Sequence, residues 1–441
     1  MFASTEQHTQ SLDSNSPTQA RSRNTARMAA LSGPSFDRAY SNGLMGVSCT
    51  VLQDRRIRTG QDQHVVVDYT RCGYLDLDSH PAVLAAAKSV LDEIPSLHFS
   101  VARTRLTAEP LRELEHRLAR LFGAESIIVF PTVAAANMGA LPLLAAGLFT
   151  GGQKPLIAVD RFAHVTLQYH IPVLREDTEV VVIEHNDLQH LADLCSSGRS
   201  VAYVGDGAYS MGGAAPVREL RLLQDRYDLF VYLDDAHGIS VAGANGEGFV
   251  RSQLDSLGDR TIVAASLGKG FGASGGLLML GTPEQDRVIR RYAPTFGFSC
   301  APNMPAVGAA LASAIIHGTP ELGRLQKALA DNLQLFDQLI PTETRGSPLP
   351  IRIVRIGAEE DAIDAAEFLL QRGHYVSAVF FPTVPRGKAA LRMAVTAGHQ
   401  SDDLRDLASA LAHWKAAGHQ PADGDIQPAD TDAPTDLVTS L

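Results

Sequence analysis

Cysteine is scarce in this chain of 441 residues. There are four, Cys49, Cys72, Cys195 and Cys300, and none forms a CxxC pair. Such spacing excludes a disulfide framework and a zinc knuckle, and suits a reducing, cytoplasmic setting. Basic residues are also outnumbered: Lys+Arg 38 against Asp+Glu 49 gives a net charge of −11. A protein that wraps a nucleic acid polymer needs a basic surface to displace counterions, so that partner is not expected, nor is an anionic membrane surface. No apolar run is long enough to span a bilayer, and no apolar segment of a secretory signal follows the N-terminus.

Residues 1–30 are rich in Ser, Thr, Gln and Asn. Arg21, Arg23 and Arg27 would suit an organellar presequence, but Glu6 and Asp13 weaken that reading, and a disordered tail is expected. The segment 417–441, with its PADGDIQPADTDAPTD run, has almost nothing to bury and reads the same way.

Between the tails, apolar runs alternate with helical patterns. SIIVF (126–130), PLIAVD (155–160), EVVVI (179–183), VAYVGD (201–206), LFVYLDD (229–235), TIVAAS (261–266) and GLLML (276–280) are continuous rather than alternating. Strands covered by helices on both faces look like this. The expected class is α/β, with a mostly parallel sheet. After Pro302 the texture changes to long helices at 304–317 and 319–339, then IRIVRI (351–356), a helix over 359–372, YVSAVF, LRMAV and a last helix over 402–415. That suggests a smaller C-terminal α+β domain. The expected division is a tail at 1–30, an arm at 31–65, a large domain at 66–302, a small domain at 303–416 and a tail at 417–441.

Ligands in α/β sheets sit beyond the carboxyl ends of the strands, so polar residues there matter most. LFVYLDDAHG puts Asp234, Asp235 and His237 at one strand end; TIVAASLGKGFGASGG puts Ser266 and Lys269 at another; PLIAVDRFAHVT puts His164 past a third. Lys269, flanked by Gly268, Gly270 and Gly272, suits an exposed turn. It equally suits a Schiff-base lysine reached by a ligand that crowds the glycine backbone. GKGFG is not a nucleotide P-loop. Asp234 suits a helix N-cap, or a partner for a protonated pyridine nitrogen. No metal-ligand spacing and no G-x-S-x-G elbow is present.

Four blocks in order carry a resemblance. YLDLDSHPAV (74–83), FPTVAAANMG (130–139), DDAHGISVAGANGEG (234–248) followed by SLGKGFG, and FPTVPRGKAALRMAVTAGH (381–399) together resemble the α-oxoamine synthases. These are fold-type I, aspartate aminotransferase-like enzymes that use pyridoxal 5'-phosphate. The similarity runs from about Tyr69 to Leu411. It implies a transferase that joins an amino-acid-derived carbanion to an acyl thioester in a decarboxylative condensation.

The resemblance also implies roles. Lys269 would carry the Schiff base and move the α-proton, Asp234 would hold the pyridine nitrogen, His237 and Ser210 would face the 3-oxygen, and His164 would stack on the ring. Thr132, Val133, Ala134 and Ser266 would cradle the phosphate, with Ser299 reaching it from a second copy in a homodimer with shared sites. Arg392 would fork onto the substrate carboxylate.

Departures from the family blocks fall at Gly73, read as replacing the asparagine of N-x-Y-L-G-L, at Ala134, at Gly212 and across 99–110. They lead us to expect a rebuilt acceptor side, with Arg103 and Arg105 meeting a larger or anionic acceptor and Phe99, Phe380 and Phe381 as apolar walls. An alternative is carbanion chemistry on a non-thioester electrophile, such as an adenosylmethionine-like amino acid in natural-product assembly. A non-catalytic partner subunit would lack Lys269, and a cofactor-binding transcription regulator would need a helix-turn-helix domain; neither fits.

Overall fold

The computed structural model describes residues 25–60 and 63–417; most of both expected tails lies outside them. Fourteen strands lie among these residues: β1 (Cys49–Val51), β2 (Arg56–Thr59), β3 (His64–Asp68), β4 (Ser126–Phe130), β5 (Leu156–Asp160), β6 (Val180–Ile183), β7 (Val201–Asp206), β8 (Leu229–Asp234), β9 (Thr261–Ser266), β10 (Gly276–Leu280), β11 (Ile351–Gly357), β12 (His374–Tyr375), β13 (Ser377–Val379) and β14 (Ala389–Ala394). The seven apolar runs are β4 to β10. They form one sheet in the order β4-β10-β9-β8-β7-β5-β6, with β10 antiparallel to β4 and β9 and the other pairings parallel.

The continuity of these runs has a simple cause. Residues of one parity, such as Ile127, Val129, Ala158, Tyr203, Val231 and Val263, enter a core under one face. Their neighbours Ile128, Phe130, Ile157, Val204, Tyr232 and Ile262 enter a core on the other. Both faces are dry, so both parities must be apolar. Helices seal the two faces with the expected patterning. In Glu109–Phe122, residues Leu111, Leu114, Leu118 and Phe122 are buried, and Gly123 at φ 62° ends the helix. Val133–Ala145 starts at Thr132, whose hydroxyl accepts the Ala135 N–H at 3.0 Å.

A third core joins the C-terminal helices Pro320–Leu339, Glu359–Leu370 and Ser401–Ala416 to a small antiparallel sheet, β11-β14-β13. Tyr69, Tyr74, Leu75 and Leu77 belong to this same core, and β12 extends the N-terminal hairpins by pairing in parallel with β3. Among the described residues, the segment 64–77 and the C-terminal helices are therefore packed together. A helix, Thr25–Ser41, begins within the stretch whose composition suggested a tail to residue 30. Among the described residues no helix is long and apolar enough to cross a membrane.

Candidate active site

β4, β5, β7, β8 and β9 all point the same way, so their carboxyl ends gather Thr132, His164, Ser210, Asp234 and Lys269 at one edge of the sheet. β14 of the small sheet brings Arg392 to the same cleft, where its Nε donates to the Ser210 carbonyl at 2.7 Å.

Lys269 Nζ lies 2.7 Å from His237 Nε2, and His237 Nδ1 lies 2.6 Å from the hydroxyl of the fully buried Tyr74. Burial lowers the lysine's proton affinity against the opposing pull of Asp234. Burial, then the charges of Lys269 and Arg392, hold His237 well below the usual imidazole range, so it is neutral. A neutral ring with one nitrogen toward a phenol and the other toward an amine can pass or hold a proton between them.

Asp234 is buried at the end of β8. One oxygen accepts the Ala236 N–H at 3.0 Å, and the other accepts the Asn137 amide at 3.0 Å. Asn137 in turn takes a hydrogen bond from Tyr232 at 2.8 Å and donates to Thr166 at 3.1 Å. This network fixes the direction of the carboxylate. His164 caps the short helix Val165–Gln168, its ring 2.9 Å from the Thr166 hydroxyl, and its backbone N–H donates to Asp206. Burial and the neighbouring Asp234 keep the Asp206 carboxyl protonated well above the carboxylate range.

Two of the three glycines around Lys269, Gly270 and Gly272, make room for protein, while Gly268 has only ordinary contacts. A Cβ on Gly270 would sit 2.7 Å from the Ile239 carbonyl, and one on Gly272, at φ +73°, would sit 2.3 Å from Leu77 Cβ. The backbone there crowds protein rather than ligand, and that packing aims the lysine. Gly276 does border the phosphate position expected from the family motif: its Cβ would strike Val133 N at 2.2 Å. The N–H groups that open Val133–Ala145 are thus held beside the end of β9, where Ser266 Oγ accepts the Gly268 N–H at 3.2 Å. An anion fits at such a helix start.

Three expectations need correction. Arg103 does not face the cleft. It is buried, 2.6 Å from Glu115 and 2.5 Å from the Val129 carbonyl, with its guanidinium 4.4 Å from the Phe296 ring centroid. Phe380 and Phe381 are buried, and Phe380 belongs to the C-terminal core. Counted back from Tyr74, the asparagine of N-x-Y-L-G-L falls at Cys72 rather than Gly73. It is Cys72 Sγ that lies 3.7 Å from Arg392 Nη2, whereas a Cβ on Gly73 would meet Asp78.

Arg105 is exposed. Ala134 and Ser299 line one groove of about 680 Å³, together with Met138, Tyr169 and Phe298. Gly212 sits at φ +89° in the turn closed by Ala208 and Ala214, a conformation that glycine adopts without a side-chain penalty. Sequence reasoning passed over Tyr74, Asn137 and Asp206. Asp206 carried the same signal as Asp234, an acid at the end of an apolar strand.

A mixed seven-stranded sheet with one antiparallel strand, a lysine and an acid at adjacent strand ends and a helix start facing them define a fold-type I pyridoxal-phosphate transferase. The model of the aminotransferase class I and II family matches residues 72–411, and the chain belongs to that family, in its α-oxoamine synthase branch. It is 32% identical over 388 residues to the 8-amino-7-oxononanoate synthase of Methylobacillus flagellatus, covering 83% of this chain and 93% of that one. With the Arabidopsis thaliana 8-amino-7-oxononanoate synthase the identity is 31%, over 77% of this chain and 72% of that one. A serine palmitoyltransferase of S. paucimobilis shares the fold at a TM-score of 0.78 and 21% identity, over 89% of this chain and 98% of that one. The 8-amino-7-oxononanoate synthase of Francisella tularensis does so at 0.66 and 19%, over 80% and 98%. The cofactor is pyridoxal 5'-phosphate.

Proposed function

We propose that the enzyme joins the α-carbon of an amino acid to the acyl group of a thioester, with loss of the amino-acid carboxyl group. The observation that carries this reading is the convergence of Asp234 and His237, Lys269, and Arg392 on one cleft from three separate segments. Bound pyridoxal phosphate supplies an electron sink for the α-carbanion. Asp234, oriented by Asn137, holds the pyridine nitrogen protonated, and His164 stands beside it to bear on the ring. Thr132, Val133, Ala134 and Ser266 receive the phosphate. Lys269 tethers the cofactor and then moves the α-proton; its lowered proton affinity suits a base. Arg392 grips the substrate carboxylate.

The named relatives favour the thioester over the non-thioester electrophile. Met138 is 50% exposed, Tyr169 61% and Phe298 96% beside Ser299, an apolar patch that suits burial against a second copy. We therefore take the working unit as a cytoplasmic homodimer in which Ser299 serves the neighbouring site.

Borohydride reduction of the purified holoenzyme places the label on Lys269. Glycine, alanine and serine are then screened for a change in cofactor absorbance, and an acyl-CoA series for thiol release. Turnover by Lys269→Ala, or the absence of thiol release with every pairing, overturns the reading.

A further inference from the structure

The substrate anchor carries an unusual neighbour. Arg392 commits Nε to the Ser210 carbonyl at 2.7 Å and Nη2 to Cys72 Sγ at 3.7 Å. Cys72 lies just after β3 and is half-buried, with its thiol 3.8 Å from the Thr70 carbonyl. Tyr74, two residues on, leads through His237 to Lys269. The sulfur thus touches the guanidinium on which the α-carboxylate has to dock.

An asparagine at this place is neutral at every pH and can donate an N–H to a carboxylate. A thiol donates weakly, and once ionised it is an anion competing for the same guanidinium. The charged and titratable groups facing the sulfur are Arg392 from β14, Tyr74 from its own segment and Lys269 from the loop after β9. Burial pushes the Cys72 thiol up, but Arg392, Tyr74 and Lys269 together outweigh it and leave it below the ordinary thiol range.

We propose that Cys72 controls amino-acid docking at Arg392: the protonated thiol leaves the guanidinium fork to the substrate carboxylate, and the thiolate occupies the fork itself. Docking at a pH where the sulfur is ionised then takes up one proton from solvent and converts thiolate to thiol, with no other bond made or broken. Cys72 is a positioning residue acting through Arg392, and the inference rests on Arg392 being the carboxylate anchor.

The test uses the holoenzyme in two arms. In the first, the Kd of glycine, alanine and serine is read from cofactor absorbance against pH. In the wild type it weakens about tenfold per pH unit above the sulfur's midpoint, the slope for one linked proton. Cys72→Ser and Cys72→Asn lose that slope, and any titration of the amino acid or cofactor remains in all three proteins. In the second arm, iodoacetamide labelling of Cys72 is followed against pH by peptide mass, which separates it from the exposed Cys49 and Cys300. The wild-type midpoint lies below that of a free thiol, at about 8.5, and Arg392→Gln raises it.

A pH slope that persists in Cys72→Ser overturns the proposal, as does a wild-type midpoint at or above the free-thiol value. If no amino acid changes the absorbance of an enzyme whose Lys269 takes the borohydride label, the reading under Proposed function fails. The labelling arm still decides the Cys72–Arg392 pair in that case.

Discussion

Asp234, Lys269 and the helix start at Val133 stand on strand ends of one sheet, while Cys72 and Arg392 reach the cleft from a turn and a strand of the small sheet. The first group is held by hydrogen bonds along adjacent, fully buried strands; Asp206 and Asp234 are register partners on β7 and β8. The second group depends on how the N-terminal segment and the C-terminal sheet close over the first, through the shared core of Tyr69, Tyr74 and β14. The cofactor side is therefore fixed by local chain direction, and the carboxylate anchor by long-range packing. Substitutions on the two sides are expected to fail differently.

The largest effect belongs to the cofactor side. Asp234→Asn folds, because an amide can keep the Asn137 contact, but it cannot hold a pyridine nitrogen protonated. We expect kcat to fall by roughly 10²-fold or more, about 3 kcal/mol, with a much smaller change in thermal midpoint. A variant with near wild-type kcat would show that another group holds the nitrogen and would dissolve the contrast.

Arg103→Met tests long-range packing outside the cleft. Glu115 keeps Arg290 at 3.0 Å and the Val129 N–H at 2.9 Å but loses its shortest partner in a dry site. A stability loss of about 2 kcal/mol follows, read from the urea midpoint, with the acceptor KM moved little. A raised KM at unchanged stability would return Arg103 to the acceptor.

A smaller effect, counted per pH unit, concerns Asp235, whose carboxyl burial pushes up to about 8 despite the Val250 N–H it accepts. The unfolded chain ionises this group in the ordinary carboxylate range while the native state keeps its proton. Between pH of about 4 and about 8 the native state thus binds more protons than the unfolded chain, and stability falls across that window. The fall is as steep as about 1.4 kcal/mol per pH unit and levels off above it. Asp235→Asn removes this contribution, which denaturation series at several pH values will show.

Arg105→Glu is the mildest change. For an exposed loop residue, stability stays within about 0.5 kcal/mol. The KM for an anionic acceptor rises several-fold, and that for the amino acid does not. An unchanged acceptor KM would mark the loop as a solvated surface.

The seven strands of the large sheet were legible because burial on both faces imposes apolar residues at both parities, a pattern that needs no knowledge of the partners. Lys269 and Asp234 were legible for a related reason: a polar residue that ends such a run has to lie at the ligand edge. Arg103 was not. Nothing in FSVARTRL shows that its guanidinium turns inward, because the acid that receives it, Glu115, sits on the following helix and the ring it lies over, Phe296, is far along the chain. Gly270 and Gly272 misled for the same reason, since the atoms they make room for, at Ile239 and Leu77, come from distant turns.

By itself the amino-acid sequence determined the α/β sheet, the order of its strands along the chain and the chemical identity of the lysine, acid and histidines at its edge. These follow from periodicity and from where apolar runs stop. The tertiary structure alone decided that Tyr74 closes the chain from Lys269 through His237, that Arg103 is a buried brace, and that a cysteine sulfur lies against Arg392. Each of these contacts joins residues on separate elements, many of them far apart in the chain. A local pattern dictates which residue types are present; only the packed fold sets the distances at which one changes the charge, orientation or access of another.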